Sequence, residues 1–141
     1  MNLCPCGARG DPAVECTCSP QKLAAYGTKL SRALVDRFDL VVHMPRPRGR
    51  ELDGVPGEPS AAIRERVAPA SDRLREKRPP LGREARELLV RAVDTLPLSG
   101  RGRARVARVA ATVAALAGAE SIEAQHVAEA LSYRAPPELS T

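Results

Sequence analysis

The first eighteen residues contain four cysteines in two C-x-C pairs, Cys4 with Cys6 and Cys16 with Cys18. Four thiolates within one short segment of a reduced chain suit the tetrahedral coordination of Zn²⁺. Four cysteine ligands leave no open coordination position, so the predicted zinc ion is structural and not catalytic. C-x-C is tighter than the usual C-x-x-C knuckle, and three alternatives stay open: a redox pair, reduced thiols in a loop, and a degenerate former site.

The charge of the sequence favours anionic partners. Lys and Arg number 22 against 17 Asp and Glu, which gives a net charge of +5, and almost all the positive residues are Arg. A guanidinium makes bidentate contacts with phosphates and carboxylates. The alternative is that the many arginines reflect a genome of high GC content. No apolar run approaches the roughly 20 residues that cross a bilayer, and the N-terminus does not resemble a signal peptide. We therefore expect a cytoplasmic protein without a membrane partner.

The segment that carries the cysteines is predicted to continue through two short helices into a strand. Ser19 is placed to cap a helix that begins at Pro20, and residues 31–38 form a further helical turn. Residues 40–44, LVVHM, form the one convincing strand pattern. A single strand cannot satisfy its own backbone groups, and the rest of the sequence offers no good partner. Residues 1–45 are therefore predicted to be the end of an α/β core whose earlier strands are missing.

The remainder of the sequence predicts a helical bundle. Only 2% of the residues are aromatic, so the core must be built from aliphatic residues and Ala, which suits packed helices. Residues 46–59 are rich in Pro and Gly and predict a flexible linker. Residues 60–135 predict a helical domain, and residues 136–141 a frayed tail. The expected fold class is therefore mainly α.

Four helices are expected within residues 60–135. The first runs from Ser60 to about Arg78, with a kink or a break at Pro69. The second and third are strongly amphipathic, with apolar residues at helical spacing. Their apolar stripes are Ala85, Leu88, Leu89, Ala92, Val93 and Leu96, followed by Val106, Val109, Ala110, Val113, Leu116 and Ala117. Gly118 is placed to end the third helix, and the last helix covers residues 122–133.

Several motifs together resemble one known family. The N-terminal string N-L-C-P-C-G, the second C-x-C pair, and L-S followed by L-V-D-R-F-D-L at residues 34–40 resemble the magnesium-chelatase-like AAA+ family. Within it they are most similar to the ComM-type (YifB-like) competence proteins. The strings that begin at Ser99 and at His126 are similar to the lid of that family. The resemblance implies the C-terminal portion of such an ATPase: a helical lid preceded by a Cys-rich loop and the last strand of a truncated α/β core.

Three site residues follow from the resemblance. Asn2 matches the sensor-1 polar residue, which lies near the γ-phosphate, and Arg37 matches the arginine finger, which reaches into the nucleotide site of a neighbouring subunit. Arg101 matches the sensor-2 arginine at the start of a lid helix. An arginine finger must have a guanidinium that is planar, permanently charged and fixed in position. Such a residue accelerates related phosphoryl transfers by roughly 10³–10⁵-fold. The alternatives are local pairing of Arg37 with a neighbouring Asp and a solvated basic face that contains Arg101, Arg105 and Arg108.

The resemblance also implies ATP and Mg²⁺ as cofactors of the complete protein, a hexameric ring, and DNA as the material that the ring remodels. The sequence contains no G-x-x-x-x-G-K-[ST] motif and no acidic Walker-B strand before Asn2, so we expect this chain alone not to hydrolyse ATP. The family's Pro after Asn is Leu3 here, and its Gly-Pro after Leu-Ser is Arg32-Ala33, which changes loop geometry.

Two other functions are compatible with the sequence. One is a free-standing, zinc-containing nucleic-acid-binding module, which the cysteines and Arg excess support and the scarcity of stacking aromatics opposes. The other is an inactive truncated pseudo-protein. A chelatase-type role, metal insertion into a tetrapyrrole, is less compatible with the combined cysteine and D-R-F-D-L motifs. His43 and His126 are expected to be structural.

Overall fold

The structure is a computed structural model that describes residues 2–29, 31–42, 44, 47–96 and 98–134, without the side chain of Arg32. It divides into two compact units, one formed by the chain up to Val55 and the other by Pro56–Arg134. His43, Leu30 and the predicted tail lie outside the described residues. Across the part of the chain that is described, no helix is both long and apolar enough to span a bilayer.

The first unit contains three short helices: α1 (Pro20–Gly27), α2 (Arg32–Val35) and α3 (Gly49–Leu52). The predicted start of α1 is confirmed, because Pro20 is its first residue and the Oγ of Ser19 accepts a hydrogen bond from the N–H of Lys22 at 3.4 Å. α3 lies inside the segment predicted as a linker. There the Arg48 N–H donates to Glu51 Oε2 at 2.8 Å, which closes a single helical turn.

The strand expected at residues 40–44 is not formed. Leu40, Val42 and Met44 have no strand pairing with any described residue, and their exposed fractions are 53%, 62% and 81%. The prediction was wrong for a physical reason: an extended segment becomes a strand only when a neighbour supplies the other half of its hydrogen bonds. The described residues of this unit supply no such neighbour.

The second unit is a bundle of four helices: α4 (Ser60–Glu76), α5 (Arg83–Thr95), α6 (Gly100–Leu116) and α7 (Ala124–Ser132). The mainly helical fold predicted from the sequence is confirmed. Pro69 lies inside α4, which is continuous across it, so the expected break is absent. Nη1 and Nη2 of Arg66, in α4, contact the carboxylate of Glu58, and this pair links the segment before α4 to the helix.

α6 is the central helix of the bundle, since α4, α5 and α7 all pack against it. Its predicted stripe is buried at Val106, Val109 and Ala110. Four further small residues of α6 that the stripe did not include are also buried: Gly102, Ala111, Ala114 and Ala115. A helix with neighbours on several sides buries more than one face, and small residues allow the neighbouring backbones to approach.

The connections between the helices are held by backbone contacts. Leu81 forms an isolated parallel bridge with Ile122, in which the Gly82 N–H donates to Ile122 O at 3.0 Å and the Ile122 N–H donates to Pro80 O at 2.8 Å. This pairing joins the α4–α5 connection to the α6–α7 connection. It could not be predicted from the sequence, because it uses main-chain groups that are distant in the chain.

The ends of α6 and α7 follow simple capping rules. Gly118, with φ of 70°, ends α6 as predicted, and Nη1 of Arg73 lies 3.4 Å from the carbonyl oxygen of Ala115 in the last turn. His126 is 4% exposed, and its Nδ1 accepts a hydrogen bond from the Glu123 N–H at 3.0 Å. The structural role predicted for His126 is therefore confirmed.

Replacement of Gly82 by Ala should destabilise the second unit. A Cβ at this position would lie 3.0 Å from the backbone oxygen of Ile122, which is itself fixed by the bridge. We expect a loss of about 1–3 kcal/mol in the free energy of unfolding, measured by chemical denaturation. Gly100→Ala is the matched control, because no atom lies within 4 Å of its Cβ position; it should be neutral or stabilising by up to about 1 kcal/mol. Equal effects of the two changes would contradict the assigned role of Gly82.

Candidate functional site

The four cysteine sulfur atoms of the first unit form one cluster. All four Sγ atoms lie within 4.8 Å of one another, and the Cys4–Cys6, Cys6–Cys16 and Cys4–Cys16 pairs are separated by 3.3, 3.6 and 3.7 Å. Tetrahedral Zn²⁺ with Zn–S bonds of about 2.3 Å requires sulfur atoms about 3.8 Å apart. The structure therefore brings together the four residues that the spacing singled out, at distances that could hold a metal ion.

The backbone of the cysteine loop explains how the sulfur atoms meet. The Gly7 N–H donates to Cys4 O at 3.2 Å, which closes a tight turn around the first pair, and Gly7 has φ of 81°. Gly10 has φ of 86°, so both positions use backbone geometry that only glycine adopts readily. The Arg9 N–H donates to the Sγ of Cys4 at 3.3 Å, and Cys4 is fully buried. The role of Gly10 was not predicted from the sequence, although the position of this glycine in a Cys-rich loop could have indicated it.

The thiols of the cluster differ in acidity. A hydrogen bond from the backbone of Ala8, followed by those from the thiols of Cys4 and Cys18, lowers the pKa of Cys6 to about 6. A backbone hydrogen bond at Cys18 acts to lower the pKa of Cys16, but desolvation and the neighbouring thiols outweigh it and raise that pKa to about 11. The pKa of Cys18 is also raised: the backbone of Cys6 acts to lower it, and the Cys6 thiol and desolvation act more strongly in the other direction. The pKa values of Cys6 and Cys16 therefore lie apart, as expected for neighbouring groups that cannot all carry the same charge.

Asn2 and Leu3 lie directly beside this loop. The Nδ2 atom of Asn2 is 3.4 Å from the point that a Cβ on Gly7 would occupy, and Cδ1 of Leu3 is 3.3 Å from the corresponding point on Gly10. Each of the two side chains thus covers one left-handed glycine. Asn2, which the family resemblance matched to the sensor-1 residue, lies in an exposed position at the entry to the cysteine turn.

Arg37 lies in the turn that follows α2. Its N–H donates to Leu34 O at 2.9 Å, and the next residue, Phe38, donates from its N–H to Val35 O at 3.1 Å. Val35 is 4% exposed and anchors this turn, whereas the side chain of Arg37 is exposed. Among the described residues its guanidinium forms no ion pair. The backbone at Arg37 is thus fixed while its charged group faces solvent.

Arg101 is the second residue of α6 and belongs to the other unit. The Oγ of Ser99 accepts a hydrogen bond from the Gly102 N–H at 2.9 Å, which caps the helix, and Arg101 is exposed in this first turn. Arg105, one turn later on the same face, is half-buried, and Arg108 is exposed. The structure thus groups Asn2 with the cysteine cluster, whereas Arg37 and Arg101 lie on separate elements.

Comparisons with known proteins match most of the chain. Residues 1–52 match the family described as magnesium chelatase, subunit ChlI, and residues 72–134 match its C-terminal region. An uncharacterized protein of Mycobacterium tuberculosis is 36% identical over 152 residues, which covers 94% of this chain and 30% of that protein.

Two further relatives carry names that the sequence motifs had suggested. The competence protein ComM of Haemophilus influenzae is 34% identical over 134 residues, which covers 83% of this chain and 26% of ComM. The uncharacterized protein YifB of Salmonella typhimurium is 34% identical over 135 residues, which covers 84% of this chain and 27% of YifB. The chain thus spans less than a third of the length of these curated relatives.

The cysteine cluster should bind one Zn²⁺ ion per chain, because its sulfur spacing suits four thiolate ligands. Metal analysis of the purified protein measures the stoichiometry, and Co²⁺ substitution should give thiolate-to-metal absorption. Cys4→Ser should abolish stoichiometric binding. Thr17→Ala, an exposed position between two of the cysteines, is the control and should keep full binding. A fully reduced wild-type chain that binds no metal would refute the prediction.

Proposed function

Because the chain belongs to the magnesium chelatase ChlI family of AAA+ ATPase-like proteins, we propose that it supplies the lid and the arginine finger of an ATP-hydrolysing ring. In this proposal ATP and Mg²⁺ bind between subunits, Arg37 acts on the site of a neighbour, and Arg101 contacts the nucleotide of its own subunit. Nucleotide-binding residues outside this chain complete the site, since the sequence contains no P-loop motif.

The position of Arg37 is the observation that carries the proposal. A residue that stabilises charge on a transferred phosphoryl group must be preorganised at its backbone and available at its guanidinium. Arg37 meets both conditions: its N–H is bonded to Leu34 O, the buried Val35 anchors the turn, and its side chain is exposed without an ion-pair partner among the described residues. Local pairing with Asp36 or Asp39 would have argued for a purely structural arginine.

The first turn of α6 supports the role of Arg101. The N-terminus of a helix carries partial positive charge, so a cation there costs about 0.3–1 kcal/mol and an anion is stabilised. The first turn of α6 nevertheless contains Arg101 and Arg103 and no acidic residue. A phosphate bound at this end would be favoured by both the helix dipole and the guanidinium. This arrangement suits an anion-binding lid better than a merely solvated surface.

The cysteine cluster completes the proposal as a structural Zn²⁺ site held by Cys4, Cys6, Cys16 and Cys18. Bound zinc would cross-link the two ends of a loop whose described residues include little apolar core, and it would take no part in the chemistry of ATP.

DNA is proposed as the material on which the ring acts. The support is the name of the competence protein among the relatives, together with a net charge of +5 carried mainly by arginine. A closed ring is proposed because an in-trans role of Arg37 needs a neighbouring subunit at every nucleotide site, and six subunits are what the family resemblance implies.

Arg37→Ala should abolish most ATP turnover with little effect on ATP affinity. The change is tested in full-length H. influenzae ComM in which the matching region has been replaced by this chain, provided that the unmutated chimera hydrolyses ATP. We expect turnover to fall by about 10³-fold or more. Arg37→Lys should restore little, because lysine lacks the planar fork. Arg50→Ala, an exposed arginine of the same unit, should retain activity.

The in-trans action of Arg37 has its own test. Subunits with Arg37→Ala but an intact P-loop are mixed with subunits that lack the P-loop but keep Arg37. Each variant alone should be inactive, whereas mixed rings should regain turnover, because an intact P-loop then faces an intact finger. Mixed rings that stay inactive while still co-assembling would contradict action on the neighbouring site.

Arg101→Ala should weaken nucleotide binding. Loss of a charge-assisted hydrogen bond to phosphate is expected to raise the ATP dissociation constant of the same chimera by about 10-fold or more. Isothermal titration calorimetry measures this constant directly. Arg64→Ala, an exposed arginine of α4, is the control. Unchanged ATP affinity in the Arg101→Ala variant would remove Arg101 from the proposed site.

A further inference from the structure

The carboxamide of Asn2 rests on a surface that the cysteine turn creates. Its Nδ2 atom lies 3.4 Å, and its Cγ atom 4.0 Å, from the point where a Cβ on Gly7 would stand. Gly7 adopts φ of 81°, a backbone conformation that other residues rarely take, so the amide lies within van der Waals distance of a turn that depends on glycine. The Gly7 N–H in turn donates to Cys4 O at 3.2 Å.

Asn2 and Gly7 flank the first pair of candidate metal ligands on either side. Asn2 precedes Cys4 by two residues, and Gly7 directly follows Cys6, while the Sγ atoms of Cys4 and Cys6 are 3.3 Å apart. An ion bound to both sulfur atoms would hold the segment from Cys4 to Cys6 in one conformation. Asn2 and Gly7, which flank that segment, would then be held close to each other.

We propose that metal binding at the cysteine cluster fixes the orientation of the Asn2 carboxamide through Gly7. Gly7 is thus a positioning residue that couples the metal centre to Asn2, which the family resemblance matches to the sensor-1 residue near the γ-phosphate, and the inference rests on the proposed ATPase function. An exposed Asn has two free side-chain torsions, and a group that senses phosphate must be held in one geometry before the nucleotide arrives. The metal would therefore affect the nucleotide site by ordering the side chain of Asn2, without contacting the nucleotide.

The composition of the chain makes the proposal directly measurable. Asn2 is the only asparagine in the sequence, so selective ¹⁵N-asparagine labelling gives a single pair of side-chain NH₂ signals. In the Zn²⁺-loaded 141-residue chain we expect two resolved NH₂ proton signals with a nuclear Overhauser effect to the α protons of Gly7. After removal of the metal with a chelator, the signals should move to the position of free asparagine and the Overhauser effect should vanish.

Gly10→Ala is a matched control for Gly7→Ala. Both glycines have a left-handed backbone, with φ of 86° and 81°, so alanine strains the loop similarly at either site. Gly10, however, contacts Leu3 and not Asn2. With the zinc content of each variant measured, Gly7→Ala should displace the Asn2 signals, and Gly10→Ala should leave them within the linewidth of the wild type.

The outcomes separate this inference from the function on which it rests. A chain that binds no zinc refutes the metal centre itself, and the coupling with it. A chain that binds one zinc but shows the same Asn2 signals with and without the metal refutes the coupling alone. Equal displacement by the two glycine variants would show that the effect does not pass through Gly7. If Gly7→Ala fails to load zinc, the wild-type Overhauser effect and its response to metal removal still decide the question.

Discussion

The packing of α6 against three other helices is the interaction on which the second unit depends. Small buried residues on this helix, among them Ala110, Ala114 and Gly102, let the neighbouring backbones approach closely. Because these contacts are short, the ends of the helices must also be placed accurately. The Leu81–Ile122 bridge and the turn at Gly118 do this, and the exposed first turn of α6 is consequently presented in a fixed direction within its unit.

The first unit is held together differently. Its buried apolar residues, within the described part of the chain, are Cys4 and Val35, so the hydrophobic effect contributes little there. Small segments without a sufficient core usually depend on cross-links, and clustered thiols are suited to provide one through a metal ion. The two arginines of the proposed site are thus positioned in different ways. Helix packing positions Arg101, and a short turn anchored by Val35 positions Arg37.

Local signals in the sequence predicted local structure well. The cap at Ser19, the stop at Gly118 and most of the stripes of α5 and α6 could be predicted, because each depends on residues within one or two helical turns. The stripes were wrong at their C-terminal ends, where Leu96 and Leu116 are exposed. The closeness of the four cysteine sulfur atoms was also anticipated, because short spacing limits how far apart they can lie. Metal binding by the four cysteines and the roles of Arg37 and Arg101 stay predictions.

Features that depend on distant partners could not be predicted. The residue types at Leu40–Val42 indicated a preference for a β-strand. A strand forms only when it pairs with a neighbouring strand, and the residue types do not specify one. The Leu81–Ile122 bridge uses main-chain atoms, which leave no trace in residue type, and the additional buried alanines of α6 required knowledge of how many helices surround it. Asn2 was recognised by its motif, whereas its contact with Gly7 needed coordinates.

The exposed apolar side chains of Leu40 and Val42 have a consequence for how the protein behaves at high concentration. No described strand covers these residues, so another copy could add a β-strand to them. The net charge of +5 opposes such self-association by repulsion between molecules. Added salt limits this repulsion to a distance of about 10 Å at 0.1 M, so the tendency to aggregate should rise with ionic strength.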